Sequence, residues 1–370
     1  MYEDCVFLDF DYMEKFMAEV FCGLGVPRED AEICADVLIT SDKRGIDSHG
    51  IGRLKPIYYD RIKAGILDPV TRMEIIREGP TTAVIDGHNG MGHVIGQRAM
   101  QMAIDKAKKF GMGMVAVRNS SHYGIAGYFA LMAVQNGMIG ITGTNARPSI
   151  APTFGVENML GTNPMTFGIP TDEPFPFVLD CATSVSQRGK IEVYDRENKE
   201  IPEGWVIDKS GQTRTDTHQI LLDLVSGQAA LTPLGGIGED NGGYKGYGYA
   251  TVVEILSAAL QGGTFMKALS GRDANGQLRP YNLGHFFIAI DIEAFTELDS
   301  FQKSTGDILR ALRASEKAPG ASRIYTAGEK EYLAWQERQG KGVPLNKVLQ
   351  QEVLQMREEL GLKDFHFPFE

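Results

Sequence analysis

The stretch Val117-Arg118-Asn119-Ser120-Ser121-His122-Tyr123-Gly124 decides how this chain is read. Ahead of it, residues 112–117 are an apolar run with the length of a short buried strand. Behind it, residues 125–136 carry a helical pattern closed by Gly137. A strand, a polar turn and a helix in succession point to an α/β protein, and the turn falls at a strand's carboxyl end, where such proteins hold ligands. It contains one imidazole, His122, the side chain whose ordinary pKa suits proton transfer near neutral pH. A surface histidine beside a serine cap is the plain alternative.

The 370 residues can bury a large core and exceed the usual single lobe. A formal charge of −11 excludes the basic face of a nucleic-acid binder, though not a local basic pocket for a small anion. Cys5, Cys22, Cys34 and Cys181 form no C-x-x-C pair, so reduced thiols and a cytoplasmic location are expected, with no metal site. No basic n-region opens the chain, and its most apolar helix candidate, 249–260, is too short for a span and contains Glu254.

Upstream of the opening stretch, Met13, Phe16, Met17, Val20, Phe21 and Leu24 recur at helical spacing between an Asp9 or Asp11 cap and Gly25. A second helix opens at Pro27 and ends near Gly45. Arg44-Gly45-Ile46-Asp47-Ser48-His49-Gly50-Ile51-Gly52-Arg53 then reads as a loop entering a helix near Gly52. Glycines let backbone approach a ligand, and an arginine fork can hold a carboxylate through two parallel hydrogen bonds. A connector whose arginines pair with surface acids fits the same residues. His88 and His93, five residues apart beside Gly90 and Gly92, do not make a metal pair, which predicts solvent or capping roles.

Downstream, residues 138–145 and 166–169 are strand-like, and 176–184 reads as a buried strand ending in an acid and hydroxyls. Residues 195–243 read as loop-rich and polar, with Trp205 and a glycine cluster over 235–243, followed by Lys245 among glycines at the start of an apolar helix. A helix N-terminus favours an anion there, and a flexible turn is as good a reading. The dinucleotide fingerprint G-x-G-x-x-G is missing from any strand-to-helix turn; Gly111-Met112-Gly113 leads from helix into strand, the reverse of the required order.

Five stretches occur together in order: Arg44-Gly45-Ile46-Asp47-Ser48-His49-Gly50, Asn119 through Gly127, Leu160-Gly161-Thr162-Asn163-Pro164, Leu179-Asp180-Cys181-Ala182-Thr183-Ser184, and Gly243-Tyr244-Lys245-Gly246-Tyr247-Gly248. In these the chain resembles the malate/L-lactate dehydrogenase family of the non-Rossmann type. Residues 230–238 are most similar to its malate-dehydrogenase-like members. The resemblance implies an α/β fold with a non-Rossmann mixed-sheet core and a helical lobe formed by both chain ends. The corresponding division is 1–75 with 305–370 as helical lobe, 76–120 with 244–304 as core, and 121–243 as cofactor-binding subdomain. It also implies a homodimer and hydride transfer between NAD, or NADP, and a small 2-hydroxy or 2-oxo acid. By motif position His122 is the proton acceptor, with Ser48, His49 and Arg53 facing substrate. Asn145, Ala146, Asp180, Cys181, Ala182, Lys245 and Gly246 fall on cofactor-contacting positions, and the segment at Gly328 adds another. Two departures stand out. Ile57 replaces a tyrosine of ureidoglycolate members, which disfavours that substrate, and Cys181 replaces a methionine as packing rather than as a nucleophile. A cyclic-imine reductase or an inactive binding protein are the competing readings.

Overall fold

The computed structural model describes residues 5–370. In chain order it runs β1 (Val6–Leu8), α1 (Phe10–Gly23), α2 (Arg28–Lys43), a 3-10 turn (Ile51–Arg53) and a π-helical segment (Leu54–Tyr59) leading into α3 (Asp60–Lys63). Next come β2 (Glu74–Glu78), β3 (Thr82–Asp86), α4 (Gly92–Phe110), β4 (Met112–Ser120), α5 (Ala126–Gln135), β5 (Met138–Thr144), β6 (Met165–Ile169) and β7 (Phe177–Cys181). A second half follows: α6 (Arg188–Arg196), β8 (Val206–Asp208), β9 (Thr213–Arg214), α7 (Thr217–Ser226), β10 (Ala229–Leu231), α8 (Gly243–Ser257) and β11 (Leu283–Asp291). The chain closes with α9 (Leu298–Ala314), α10 (Glu329–Arg338), β12 (Val343–Leu345) and α11 (Lys347–Leu360).

The main sheet has seven strands in the order β2-β3-β4-β11-β5-β6-β7. Only β3 and β4 pair in parallel, joined by α4; every other neighbour is antiparallel. This is a mixed sheet without the doubly wound order of a dinucleotide fold. The opening stretch closes β4, beside the end of its parallel partner β3. Strands β5 to β7 lie within 121–243 yet hydrogen-bond into the same sheet as β4 and β11. The sequence predicts a buried strand over 176–184; β7 is instead the sheet's edge, with Leu179 exposed. Its apolar run packs on one face only, which a run of that length does not reveal.

Both chain ends build the helical lobe. Antiparallel α1 and α2 bury Phe16, Phe21 and Leu38 with Val353 and Met356 of α11 and with Phe365 and Phe367. Phe365 and Phe367 each meet Phe16 edge-on at 5.3 Å between ring centroids. Burying one such ring contributes about 1.5–3 kcal/mol. Asp9 caps α1 by accepting from the Tyr12 N–H at 2.9 Å, and β1 pairs with β12 to tie the two termini. The loop-rich region 195–243 also holds α7 and a three-stranded sheet, β10-β8-β9, around Ile191, Val206, Ile220 and Leu231. Its apolar stretches are two or three residues long, too short to show a period.

His93 corrects the expectation of a solvent-facing or capping histidine. It is fully buried in α4, and neither ring nitrogen has a hydrogen-bond partner. Burial alone pushes its pKa down to about 3. His285, fully buried on β11, falls to about 3 by the same cause, with its nitrogens on the hydroxyls of Thr144 (2.7 Å) and Ser120 (2.8 Å). Both rings stay neutral in the folded chain, while unfolded histidine takes a proton below about pH 6.5. Stability therefore falls as pH drops from about 6 to 4, by about 1.4 kcal/mol per pH unit for each ring. Buried Asp42, whose pKa is raised to about 8 by burial, acts in the opposite sense because only its folded form binds a proton in that window. Urea titrations from pH 4 to 6 are expected to show a slope shallower by about 1.4 kcal/mol per unit in His93→Leu than in the wild type. An unchanged slope contradicts a neutral His93.

Candidate active site

The loop between α2 and the 3-10 turn is held from beneath. Asp42 accepts the Ile51 N–H at 2.9 Å, Ser41 donates to the Ile46 carbonyl at 2.8 Å, and Arg338 grips both oxygens of Asp47 at 2.6 and 2.9 Å. A Cβ on Gly50 would sit 1.8 Å from an Asp42 oxygen, so only glycine fits that crossing. The anchored loop presents Ser48, whose Oγ lies 2.8 Å from His49 Nδ1. Arg53 donates from Nε to the Ser48 carbonyl at 2.5 Å, which leaves its two terminal nitrogens uncommitted by any ion pair among the described residues.

His122 is fixed from the other side. Ser121 donates to the Gly90 carbonyl at 2.8 Å and accepts the Gly92 N–H at 2.9 Å, which ties the turn to the start of α4. Asn119, at φ +51, passes its side-chain N–H to Asp86 at 2.8 Å, and Arg118 Nε binds the same oxygen at 2.9 Å. Tyr123 stacks on His285, with ring centroids 4.5 Å apart and 2° between planes. Between these struts the His122 ring lies nearly parallel to that of His49, 5.9 Å between centroids. His122 Nδ1 lies 2.6 Å from the Tyr58 hydroxyl and accepts the Gly124 N–H at 3.3 Å.

The surroundings are cationic. Burial first, then His49, Arg61, His93 and Arg53, hold His122 well below the ordinary imidazole pKa. Burial and then Arg53 push His49 down to about 4. Arg61 feels the positive charges of exposed Arg147 and of Arg53, and its guanidinium lies over the Tyr281 ring at 4.2 Å. None of these three arginines has a carboxylate partner among the described residues.

Next to this cluster lies a cavity of about 190 Å³ lined by Ser48, His49, Gly124–Gly127, Thr162, Pro164, Val178, Asp180–Ala182, Gln187, Arg44 and Glu331. Arg44 also lines a second hollow of about 230 Å³, with Lys43, Phe175, Gly328, Tyr332 and Trp335. Ser48, His49, Arg53 and His122 thus come together, and Asp180, Cys181 and Ala182 line the cavity beside them.

The family model for malate/L-lactate dehydrogenase matches residues 8–354. The chain belongs to that family. It is 45% identical to the malate dehydrogenase of Pyrococcus abyssi over 98% of this chain and 97% of that one. It is 39% identical to the L-sulfolactate dehydrogenase of Methanocaldococcus jannaschii over 94% and 96%. The crystal structure of malate dehydrogenase from Entamoeba histolytica superposes with a TM-score of 0.94 at 46% identity, covering 98% and 99% of the two chains. This protein is a 2-hydroxy acid dehydrogenase of the malate/lactate type, and such an enzyme uses a nicotinamide cofactor and a small hydroxy or oxo acid.

The residues of the dehydrogenase fit such a cofactor. Two hollows share Arg44, each with apolar or aromatic walls that would take a ring; Arg44, which faces Glu331 and Asp180, and Lys43, paired with Glu14 at 3.4 Å, are the cations that would meet the phosphates. Asp180 does not project freely: it accepts the Gly127 N–H at 2.7 Å and the Thr166 hydroxyl at 2.9 Å, which braces the start of α5. Half-buried Cys181 has its thiol pKa raised by burial and then by Asp180, the reverse of what a nucleophile needs. Asn145 spends its side chain on the Thr264 carbonyl (3.1 Å) and the Gly284 N–H (2.8 Å), and the Ala146 N–H donates to Asn163 at 3.2 Å. Asn163 in turn donates to Glu254 of α8 at 2.7 Å, so the conspicuous motifs share one buried network. Gly246 packs where a Cβ would meet the Leu234 backbone at 2.3 Å, while exposed Lys245 lies outside both hollows. Tyr58, Arg61, Arg147 and Gln187 escaped the sequence reading. Only the sequence proximity of Tyr58 and Arg61 to Arg53 hinted at two of them.

Proposed function

We propose that this dehydrogenase interconverts malate and oxaloacetate, with NAD as coenzyme and NADP as the alternative. The observation that carries this reading is the cationic surround of His122. Arg53 and Arg61 both act on His122, and neither is ion-paired to a carboxylate among the described residues. A dianion matches that charge, whereas lactate or pyruvate leaves part of it unanswered. The activity named for the Pyrococcus relative supports the same choice. A sulfonate in place of the second carboxylate satisfies the same arginines, and the Methanocaldococcus relative favours it as second substrate.

In this reading the nicotinamide, when bound, supplies or accepts the hydride at C2 of the acid. Arg53 holds the C1 carboxylate through its terminal nitrogens and so fixes the acid for reaction. His122 takes the C2 hydroxyl proton in oxidation and returns it to the alkoxide in reduction. A substrate carboxylate offsets part of the positive field that keeps the imidazolium scarce in the free enzyme. Arg44 and Lys43 receive the phosphates, Asp180, Cys181 and Ala182 with Asn145 and Ala146 form the wall, and Lys245 with Gly246 stands at a helix start near it. The exposed apolar side chains of α8, Tyr249, Val252 and Ile255, support a homodimer, and the absence of a disulfide at Cys22, Cys34 and Cys181 supports a cytoplasmic site.

The test is a panel of oxaloacetate, pyruvate, 2-oxoglutarate, sulfopyruvate and a cyclic imine, each with NADH and NADPH. Oxaloacetate with NADH is expected to give the highest kcat/KM, at least about tenfold above pyruvate. Preference for pyruvate or the imine overturns the assignment. In the same assay Arg53→Lys is expected to raise KM for the oxo acid about 10- to 100-fold, because an ammonium cannot reproduce the fork. An unchanged KM moves the clamp to another residue.

A further inference from the structure

The Tyr58 hydroxyl, 2.6 Å from His122 Nδ1, is a partner that none of the sequence motifs contains. Tyr58 is fully buried in the π-helical segment, a wide turn of a kind that is frequent at functional sites. Its ring is braced edge-on by Phe21 at 5.9 Å and by the tilted ring of His93 at 4.5 Å, which fixes where the hydroxyl points.

The two groups at Nδ1 differ in what they can do. The Gly124 N–H, 3.3 Å away, can only donate, whereas a phenol donates or accepts. Because Nδ1 accepts the Gly124 N–H, the geometry favours a resting ring in which Tyr58 donates there too and Nε2 carries the single proton. That tautomer cannot take a proton from an alcohol at Nε2. An imidazolium, or the neutral ring with a bare Nε2, has Nδ1–H and needs an acceptor. Gly124 cannot be one, and Tyr58 can.

We propose that Tyr58 is a positioning residue for His122, its hydroxyl turning from donor to acceptor as the ring changes protonation state. The inference rests on His122 being the acid/base. In oxidation the alcohol O–H bond breaks, its proton goes to Nε2, and Nδ1–H stays on the Tyr58 oxygen; the hydride leaves C2 for the oxidised nicotinamide. In reduction the Nε2–H bond breaks, its proton joins the C2 alkoxide and its electron pair remains on Nε2. The charged and titratable groups facing the pair are His49, Arg53, Arg61, His93 and Cys34, none of them a carboxylate. Tyr58 therefore fills the place at Nδ1 that a carboxylate commonly takes, without adding a negative charge.

Tyr58→Phe tests this. With the hydroxyl gone, neutral His122 keeps Gly124 as partner while the imidazolium loses its acceptor, so the ring becomes harder to protonate. We expect kcat for oxaloacetate reduction, or for whichever oxo acid the panel selects, to fall about 10- to 100-fold with KM within about twofold. The basic limb of kcat/KM should move about one unit to lower pH. A tyrosine that only fills space leaves that limb where it was, since the phenyl ring remains; an unmoved limb with kcat within twofold overturns the proposal. His122→Asn is run beside it: if that variant still turns over, the acid/base reading itself fails. If it is dead and Tyr58→Phe behaves as wild type, only the role of Tyr58 fails. Should Tyr58→Phe not fold, ¹⁵N shifts of the His122 ring in the free wild-type enzyme at neutral pH decide. Nδ1 unprotonated and Nε2 protonated is expected, and the reverse tautomer overturns the proposal.

Discussion

Replacing His122 with asparagine is expected to lower kcat about 10²- to 10⁴-fold, the range lost with a general acid/base. The amide can hydrogen-bond but cannot carry the proton. Because His122 stands outside both hollows that fit the cofactor, NADH affinity should stay within about threefold. Stopped-flow turnover and fluorescence titration with NADH measure the two quantities separately. The pH profile provides a second reading. Reduction by the wild type needs the imidazolium, so its rate declines as pH rises through the pKa of His122 in the complex; the asparagine variant should lack that limb. A variant that keeps wild-type turnover removes His122 from the chemistry.

The second large effect is expected from a change outside the cavity. A Cβ on Gly92 would stand 2.4 Å from the carbonyl oxygens of both Ser121 and His122. These are backbone atoms, and the Gly92 N–H also donates to the Ser121 hydroxyl, so neither side can swing away cheaply. Gly92→Ala should therefore destabilise the fold by about 1–3 kcal/mol through overpacking. It should also shift the His122 turn, and a displacement near 1 Å costs about 10²-fold in rate. Thermal melting and kcat are the measurements. Loss of rate in a folded variant is the expected outcome, and a wild-type kcat shows that the contact between α4 and the turn does not position His122.

What was legible in the sequence was whatever carries its own local signal. The turn at His122 follows the apolar run 112–117 that opens β4 and leads into a helix closed by Gly137, so its placement could be read directly. The anchored loop at Ser48, His49 and Arg53 announced itself through glycines, one of which tolerates no Cβ. Tyr58 and Arg61 carried no such mark. They sit where the helix widens to a π turn, which changes the face a side chain presents without leaving a pattern in residue types. His93 misled for a different reason: a polar residue between glycines predicts the surface, but Phe21, Tyr58 and the left-handed Gly124 close over it. The apolar composition of α8 left its faces unassigned: Tyr249 and Ile255 are more than half exposed, and hydrophobicity in one chain does not say which face meets its own core.

The site motifs show a similar division between chemistry and support. Asp180, Asn145 and Gly246 stand at family positions, but their own contacts here brace α5, the β11 entry and the packing of α8. A wall that holds a dinucleotide must itself be held, and sequence cannot separate a residue that touches a ligand from one that supports its neighbour.

The account is tested most directly by a crystal structure of the complex with NADH and hydroxymalonate, an unreactive analogue of the hydroxy acid. It predicts His122 Nε2 within about 3.2 Å of the C2 oxygen, with the Arg53 guanidinium on a carboxylate of the same molecule. An analogue seated beyond hydrogen-bond reach of His122, or held by Arg53 in a separate cavity, contradicts it.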